Sequence, residues 1–159
     1  MVVEKELAQL LDKEAIFDLI RVTAARLDDE ALEEWLTLFA PDSFYEIAAA
    51  SPEIQSAMSW WKSSREELEK ILSEVTEHVR DPGKRLHLVT PILAEINGNN
   101  ASAISHFSIT RTDTDGRSSL YVAGRYEDEL VKIDGRWLYA SHRAVLDTRM
   151  VEPFTHLPL

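Results

Sequence analysis

The stretch Val131-Lys132-Ile133-Asp134-Gly135-Arg136-Trp137 decides the fold. Asp-Gly between two apolar-rich runs is a strong hairpin signal, because both central residues of a type I′ turn need positive φ. The same punctuation recurs upstream at Asp113-Thr114-Asp115-Gly116 and at Asn97-Gly98-Asn99-Asn100. Leu86 to Met150 therefore reads as four long strands, three reversals and no helix. Three amphipathic helical segments precede this sheet. The pattern implies an α+β fold: a cone-shaped roll in which a strongly curved mixed or antiparallel sheet wraps N-terminal helices packed in its concave side. Such a cone either holds an active site or serves as a scaffold that binds another chain.

Composition narrows the choice. The 159 residues fit one domain, 1–159, and 45% apolar residues with four tryptophans supply a core. The net charge of −11 repels nucleic acid and anionic membrane alike. No run of 18 apolar residues is present, and Met1-Val2-Val3-Glu4-Lys5-Glu6 lacks the pattern of a secretory leader, so a cytoplasmic location is expected. Cysteine is absent. Disulfides, a thiolate nucleophile, Cys-ligated zinc and a Cys-held iron–sulfur cluster are thereby excluded from this chain.

Along the first half, Glu14 to Leu27 carries Ile16, Leu19, Ile20, Ala24 and Leu27 at helical spacing. Asp29 is placed to cap a second helix with Leu32, Trp35, Leu36 and Phe39 on its buried stripe and Pro41 at its end. Phe44-Tyr45-Glu46-Ile47 reads as a short strand, and Ala48 to Lys62 as a loop with one helical turn. Ser63 and Glu66 form a capping box for a third helix bearing Leu68, Ile71, Leu72, Val75 and Val79, which Asp81-Pro82-Gly83 stops. No internal repeat or linker interrupts the chain.

Five histidines are present: His78, His87, His106, His142 and His156. Asp28, at the junction of the first two helices, together with His87 and His106 on the first two long strands, makes a workable acid–base set if the three meet inside the cone. Tyr45 and Tyr126 add hydroxyl donors. The bland alternatives are equally specific: Asp28 as a helix terminator, and each histidine as an ordinary strand residue. The histidine separations match no compact metal-ligand spacing, and HExxH is absent.

An unbulged Asp134-Gly135 hairpin would set Glu127 opposite His142 and Tyr126 opposite Arg143 as cross-strand pairs. Trp137, Tyr139 and Leu130 share a face and are assigned to the core. Trp60 and Trp61 cannot share a face, which puts one in the core and one at an interface. The tail Pro153-Phe154-Thr155-His156-Leu157-Pro158-Leu159 is apolar enough to need cover from the same chain or a neighbour.

Taken in order, Arg26-Leu27-Asp28-Asp29-Glu30 with Glu34-Trp35-Leu36-Thr37-Leu38-Phe39, then Ser64-Arg65-Glu66-Glu67-Leu68 and Arg85-Leu86-His87-Leu88-Val89-Thr90, resemble the small (beta) subunit of aromatic-ring-hydroxylating dioxygenases. Gly124-Arg125-Tyr126-Glu127-Asp128-Glu129-Leu130, Asp134-Gly135-Arg136-Trp137 and Arg143-Ala144-Val145-Leu146-Asp147 continue the resemblance to the end of the sheet. It implies a nuclear-transport-factor-two-like cone and a non-catalytic role in aromatic-compound catabolism. The small subunits form a homotrimer that supports three large (alpha) subunits in a hexamer. The Rieske iron–sulfur cluster and the mononuclear iron reside in the large subunit, so the resemblance implies no cofactor and no metal site in this chain. The same fold includes scytalone dehydratase and SnoaL-like cyclases, which have catalytic cones. On that likeness Asp28, His87 and His106 match the dehydratase's aspartate and two histidines, with Tyr45 as a further hydroxyl. Leu27, however, stands where its neighbouring catalytic tyrosine is expected.

Overall fold

The computed structural model describes residues 1–53, 55–75, 81–148 and 157–159. The element order is α1 (Val2–Asp28), α2 (Leu32–Leu36), β1 (Phe39–Ser51), β2 (Ser56–Ser64), α3 (Arg65–Val75), β3 (Lys84–Asn97), β4 (Asn100–Thr112), β5 (Ser118–Ile133) and β6 (Arg136–Leu146). The six strands form one sheet in the order β2-β1-β6-β5-β4-β3. It is mixed, because β1 runs parallel to β6 while every other neighbouring pair is antiparallel. The concave face and the helices enclose a single apolar core that includes Ile16, Ile20, Trp35, Leu68, Ile109 and Leu130.

The three long hairpins fall where the turn residues place them. Asp134 and Gly135 take φ of 51° and 77°, the pair of positive values that a type I′ turn demands. Gly98 and Gly116 have φ of 61° and 82° in the other two reversals. In the second, the Asp113 carboxylate accepts from the N–H groups of Asp115 and Arg117, both at 2.9 Å. Curvature has its own sequence cause. A Cβ on Gly124 would lie 2.2 Å from the Val145 carbonyl oxygen, so β5 and β6 approach closely only because that carbon is absent.

The first half departs from the sequence-based expectations in instructive ways. Helix α1 begins at Val2 rather than Glu14, because Glu, Lys, Ala, Gln and Leu favour helix with or without a core to pack on. Its added turns leave Val3, Leu7, Leu10 and Leu11 exposed. Asp29 is the C-cap of α1, not the N-cap of α2; a positive φ at Glu30 turns the chain, and Ala31 precedes the helix. Helix α2 ends at Leu36, and Pro41 lies inside β1, at the register shift between Phe39 and Phe44 where a missing N–H is tolerated.

The short strand expected at Phe44–Ile47 is the middle of the 13-residue β1. The expected loop from Ala48 to Lys62 is instead a hairpin of β1 and β2. Alanines have weak strand propensity, but Ala48 and Ala49 are buried between two flanking strands, and tertiary placement overrides it. The capping box is shifted by one residue. Ser64 N–H donates to the Glu67 carboxylate at 2.8 Å, and Glu67 N–H donates to Ser64 Oγ at 3.2 Å. Ser63 still belongs to the strand, where its hydroxyl accepts from Trp61 Nε1 at 2.7 Å. Both Trp60 and Trp61 are partly buried against the core. Val79, His78 and the tail stretch 153–156 lie outside the described residues.

Candidate functional site

Two Asp–His pairs face the interior. The first joins helix to sheet. Asp28 closes α1, and its carboxylate accepts from the His87 backbone N–H at 2.9 and 3.1 Å and from His87 Nδ1 at 2.5 Å. The His87 side chain is 1% exposed, against 20% for Asp28. With Nδ1–H directed at the carboxylate, Nε2 is left as the acceptor; it is buried with no hydrogen-bond partner among the described residues.

Asp28 also lines a cavity of about 480 Å³ at the open end of the cone, together with Leu27, Asp81, Arg85, Leu157 and Pro158. The end of the chain packs into this opening. Arg85 donates to the Pro158 carbonyl at 3.2 Å, and the Tyr45 hydroxyl accepts from Leu159 N–H at 2.8 Å. Leu159 is buried, so the tail's last residues find their cover within the chain. Burial pushes the Tyr45 hydroxyl far above its ordinary value, which keeps it a neutral donor and acceptor. Asp81 flanks the same opening. The Arg111 guanidinium, with Nε donating at 2.7 Å, holds its carboxyl down at about 2.

His106 does not join Asp28 and His87. Ser105 and Phe107 point into the core, so strand alternation turns His106 to the outer face, where it is exposed opposite Thr90 and Arg125. The acid–base set suggested by the sequence is thus split: Asp28 and His87 meet, Tyr45 lies in the interior against the tail, and His106 is outside.

The second pair was not anticipated from the sequence. Asp128 Oδ1 and His142 Nδ1 are 2.6 Å apart, with side chains 0% and 1% exposed. The imidazole lies between the rings of Tyr126 and Tyr139, at centroid distances of 4.7 and 4.5 Å. Burial raises the Asp128 carboxyl above its ordinary value, and the adjacent imidazole pulls it back. Asp128 Oδ2 and His142 Nε2 have no hydrogen-bond partner among the described residues.

The expected register set Glu127 opposite His142. A bulge between Glu129 and Leu130 moves every partner beyond it by one, so Asp128 faces His142, Glu127 faces Arg143 and Tyr126 faces Ala144. The signal was available: Tyr126, Asp128 and Leu130 alternate, and two core residues fix the face of the third. On the outer face, Arg143 bridges Glu46 at 3.1 Å and Glu127 at 2.9 Å, a charge ladder across three strands.

A carboxylate-oriented imidazole with an unpartnered Nε2 has the orientation of a general base, but this Nε2 is buried and the third member required here faces the other way. Among the described residues no group of three or more His, Asp or Glu side chains is placed to hold a metal ion. No helix among them is long and apolar enough to cross a membrane.

Comparison with known proteins matches the profile of the SnoaL-like domain to residues 8–143. This chain belongs to the SnoaL-like family. Two relatives are β subunits of oxygenases. The methanesulfonate monooxygenase hydroxylase subunit beta of Methylosulfonomonas methylovora is 28% identical over 143 residues, covering 84% of this chain and 79% of that protein. The 2-aminobenzenesulfonate 2,3-dioxygenase subunit beta of Alcaligenes sp is 25% identical, covering 94% and 100%. Among solved structures, the β subunit of a candidate aromatic-ring-hydroxylating dioxygenase from Novosphingobium aromaticivorans superposes with a TM-score of 0.85 at 24% identity, covering 96% of this chain and 99% of that one. The α+β cone expected from the element order, and the SnoaL-like likeness expected from the resemblance, agree with the observed fold.

Proposed function

We propose that this chain is the non-catalytic small subunit of a ring-hydroxylating oxygenase, a cytoplasmic protein that assembles as a trimer and supports three large, iron-containing subunits. The observation that carries the reading is the outward position of His106. It leaves Asp28 and His87 as a clamp between α1 and β3 rather than two members of an acid–base set. Likeness to oxygenase β subunits over nearly the whole chain supports the same conclusion. The Rieske cluster and the mononuclear iron then belong to the large subunit, which also sets the substrate. Relatives named for methanesulfonate and for an aromatic sulfonate share this one small-subunit fold, as expected if the small subunit does not choose the substrate.

Co-expression with a large subunit tests the proposal. The expected result is a stable hetero-oligomer whose turnover per iron is unchanged by His87→Asn, although its assembly yield falls. A chain that stays apart from every large subunit offered, or that dehydrates or isomerises a small aromatic substrate alone and loses that activity in Asp28→Asn, would overturn it. The Asp28–His87 pair, with its unpartnered Nε2, is what favours the second reading, a free-standing cone dehydratase or isomerase.

A further inference from the structure

Residues 157–159 are held inside the fold in the way a ligand is held, by side chains rather than by a strand. Leu159 N–H donates to the Tyr45 hydroxyl at 2.8 Å, and that hydroxyl lies 3.4 Å from the Leu159 carbonyl oxygen. Arg85 donates to the Pro158 carbonyl at 3.2 Å. Leu159 is 4% exposed and joins the apolar core, while Leu157 packs at its border. Tyr45 stands on β1 and Arg85 on β3, and the sheet places β6, β5 and β4 between them. The segment therefore spans the mouth of the cone from one side to the other. Leu157 and Pro158 line the cavity of about 480 Å³ there, together with Leu27 and Asp28.

The two groups that hold the segment are positioned by contacts of their own. The Tyr45 ring meets Trp35 and Trp61 edge-on, each at 5.4 Å between centroids, and the Arg85 guanidinium lies 5.0 Å from the centre of the Tyr121 ring. A site fixed in this way loses little freedom when it is filled. Covalent attachment adds a second advantage. A tethered segment competes at an effective concentration on the order of millimolar, which a free molecule of the same chemistry has to exceed.

We infer that Pro158 and Leu159 are an intramolecular ligand that plugs the mouth of the cone, and that the site beneath them accepts a branched aliphatic group next to an amide. No large subunit enters this contact, so the plug and the small-subunit role stand or fall separately.

Native-state hydrogen exchange on the full chain is the first test. A plug leaves without the sheet, so Leu159 N–H is expected to exchange at least about 100-fold faster than Tyr139 N–H, and with little dependence on urea. Tyr139 N–H is the reference because it is bonded to the Leu38 carbonyl at 2.9 Å and its residue is fully buried. A Leu159 N–H that exchanges only as the whole chain unfolds would make the segment ordinary core and overturn the inference.

The second test is calorimetric titration of a chain lacking residues 157–159 with the acetylated peptide of those residues. The shortened chain should keep its circular dichroism spectrum and bind the peptide at least about tenfold more tightly than the wild type, whose own segment competes. Adding Tyr45→Phe should weaken that binding about threefold or more, through loss of one hydrogen bond. A shortened chain that does not fold, that ignores the peptide, or that binds it equally well with Tyr45→Phe overturns the inference. So does a wild type that binds the peptide as tightly as the shortened chain.

Discussion

The two Asp–His pairs use the same chemistry in opposite settings. Asp28 and His87 join elements distant in sequence, at the cone's open end, and the carboxylate binds backbone and ring together. Asp128 and His142 are direct neighbours on adjacent strands, closed in by tyrosines. The first is a clip holding α1 onto β3, and its aspartate keeps some contact with water. The second is an ion-pair-type contact buried inside the core, out of reach of bulk solvent that could compensate a lost partner. Location, rather than residue type, therefore decides what each pair contributes.

The sharpest way to break this contrast is Asp128→Ala, which strands His142 in the aromatic enclosure and should cost about 3–5 kcal/mol. Urea denaturation measures it, and a loss below 1 kcal/mol would remove the distinction. Asp28→Ala is expected to cost about 2 kcal/mol, because His87 N–H and Nδ1 lose their acceptor in a site that water can partly reach. Hydrogen exchange should show the effect concentrated at the α1–β3 contact.

Acid provides a third comparison, at Asp81 beside the open end. Its carboxyl is depressed from 3.8 to about 2 by Arg111, so its contribution is fully present above about pH 4 and disappears as the pH falls towards 2. Arg111→Ala should flatten that part of the acid-unfolding curve and leave the neutral limb's shape unchanged. The smallest effect is expected on the outer face, where Glu46→Gln breaks one arm of the Arg143 ladder in a solvent-reachable place, for under about 1 kcal/mol.

The sheet from Lys84 to Leu146 was legible because its turns are encoded locally: Asp134-Gly135 states its own backbone angles. Strand β2 was hidden because Ala48 to Lys62 carries no local strand signal and is made extended by pairing with β1. Asp28 and His87 could be named from the sequence, but their meeting is a tertiary event. The side on which His106 stands was not legible for a simple reason: alternation fixes faces within a strand, not which face is the core. The Asp128–His142 pair was lost to a single extra residue, since one bulge moves every partner beyond it in a hairpin.

The close approach at Gly124 has a consequence for the last hairpin. This residue sits on β5 between Val122, in the row that leads across to His87, and Asp128, which pairs with His142. A single added methyl, as in Gly124→Ala, would have to prise the last hairpin open to escape the Val145 oxygen. The spacing of the last two strands is thus calibrated by one missing carbon.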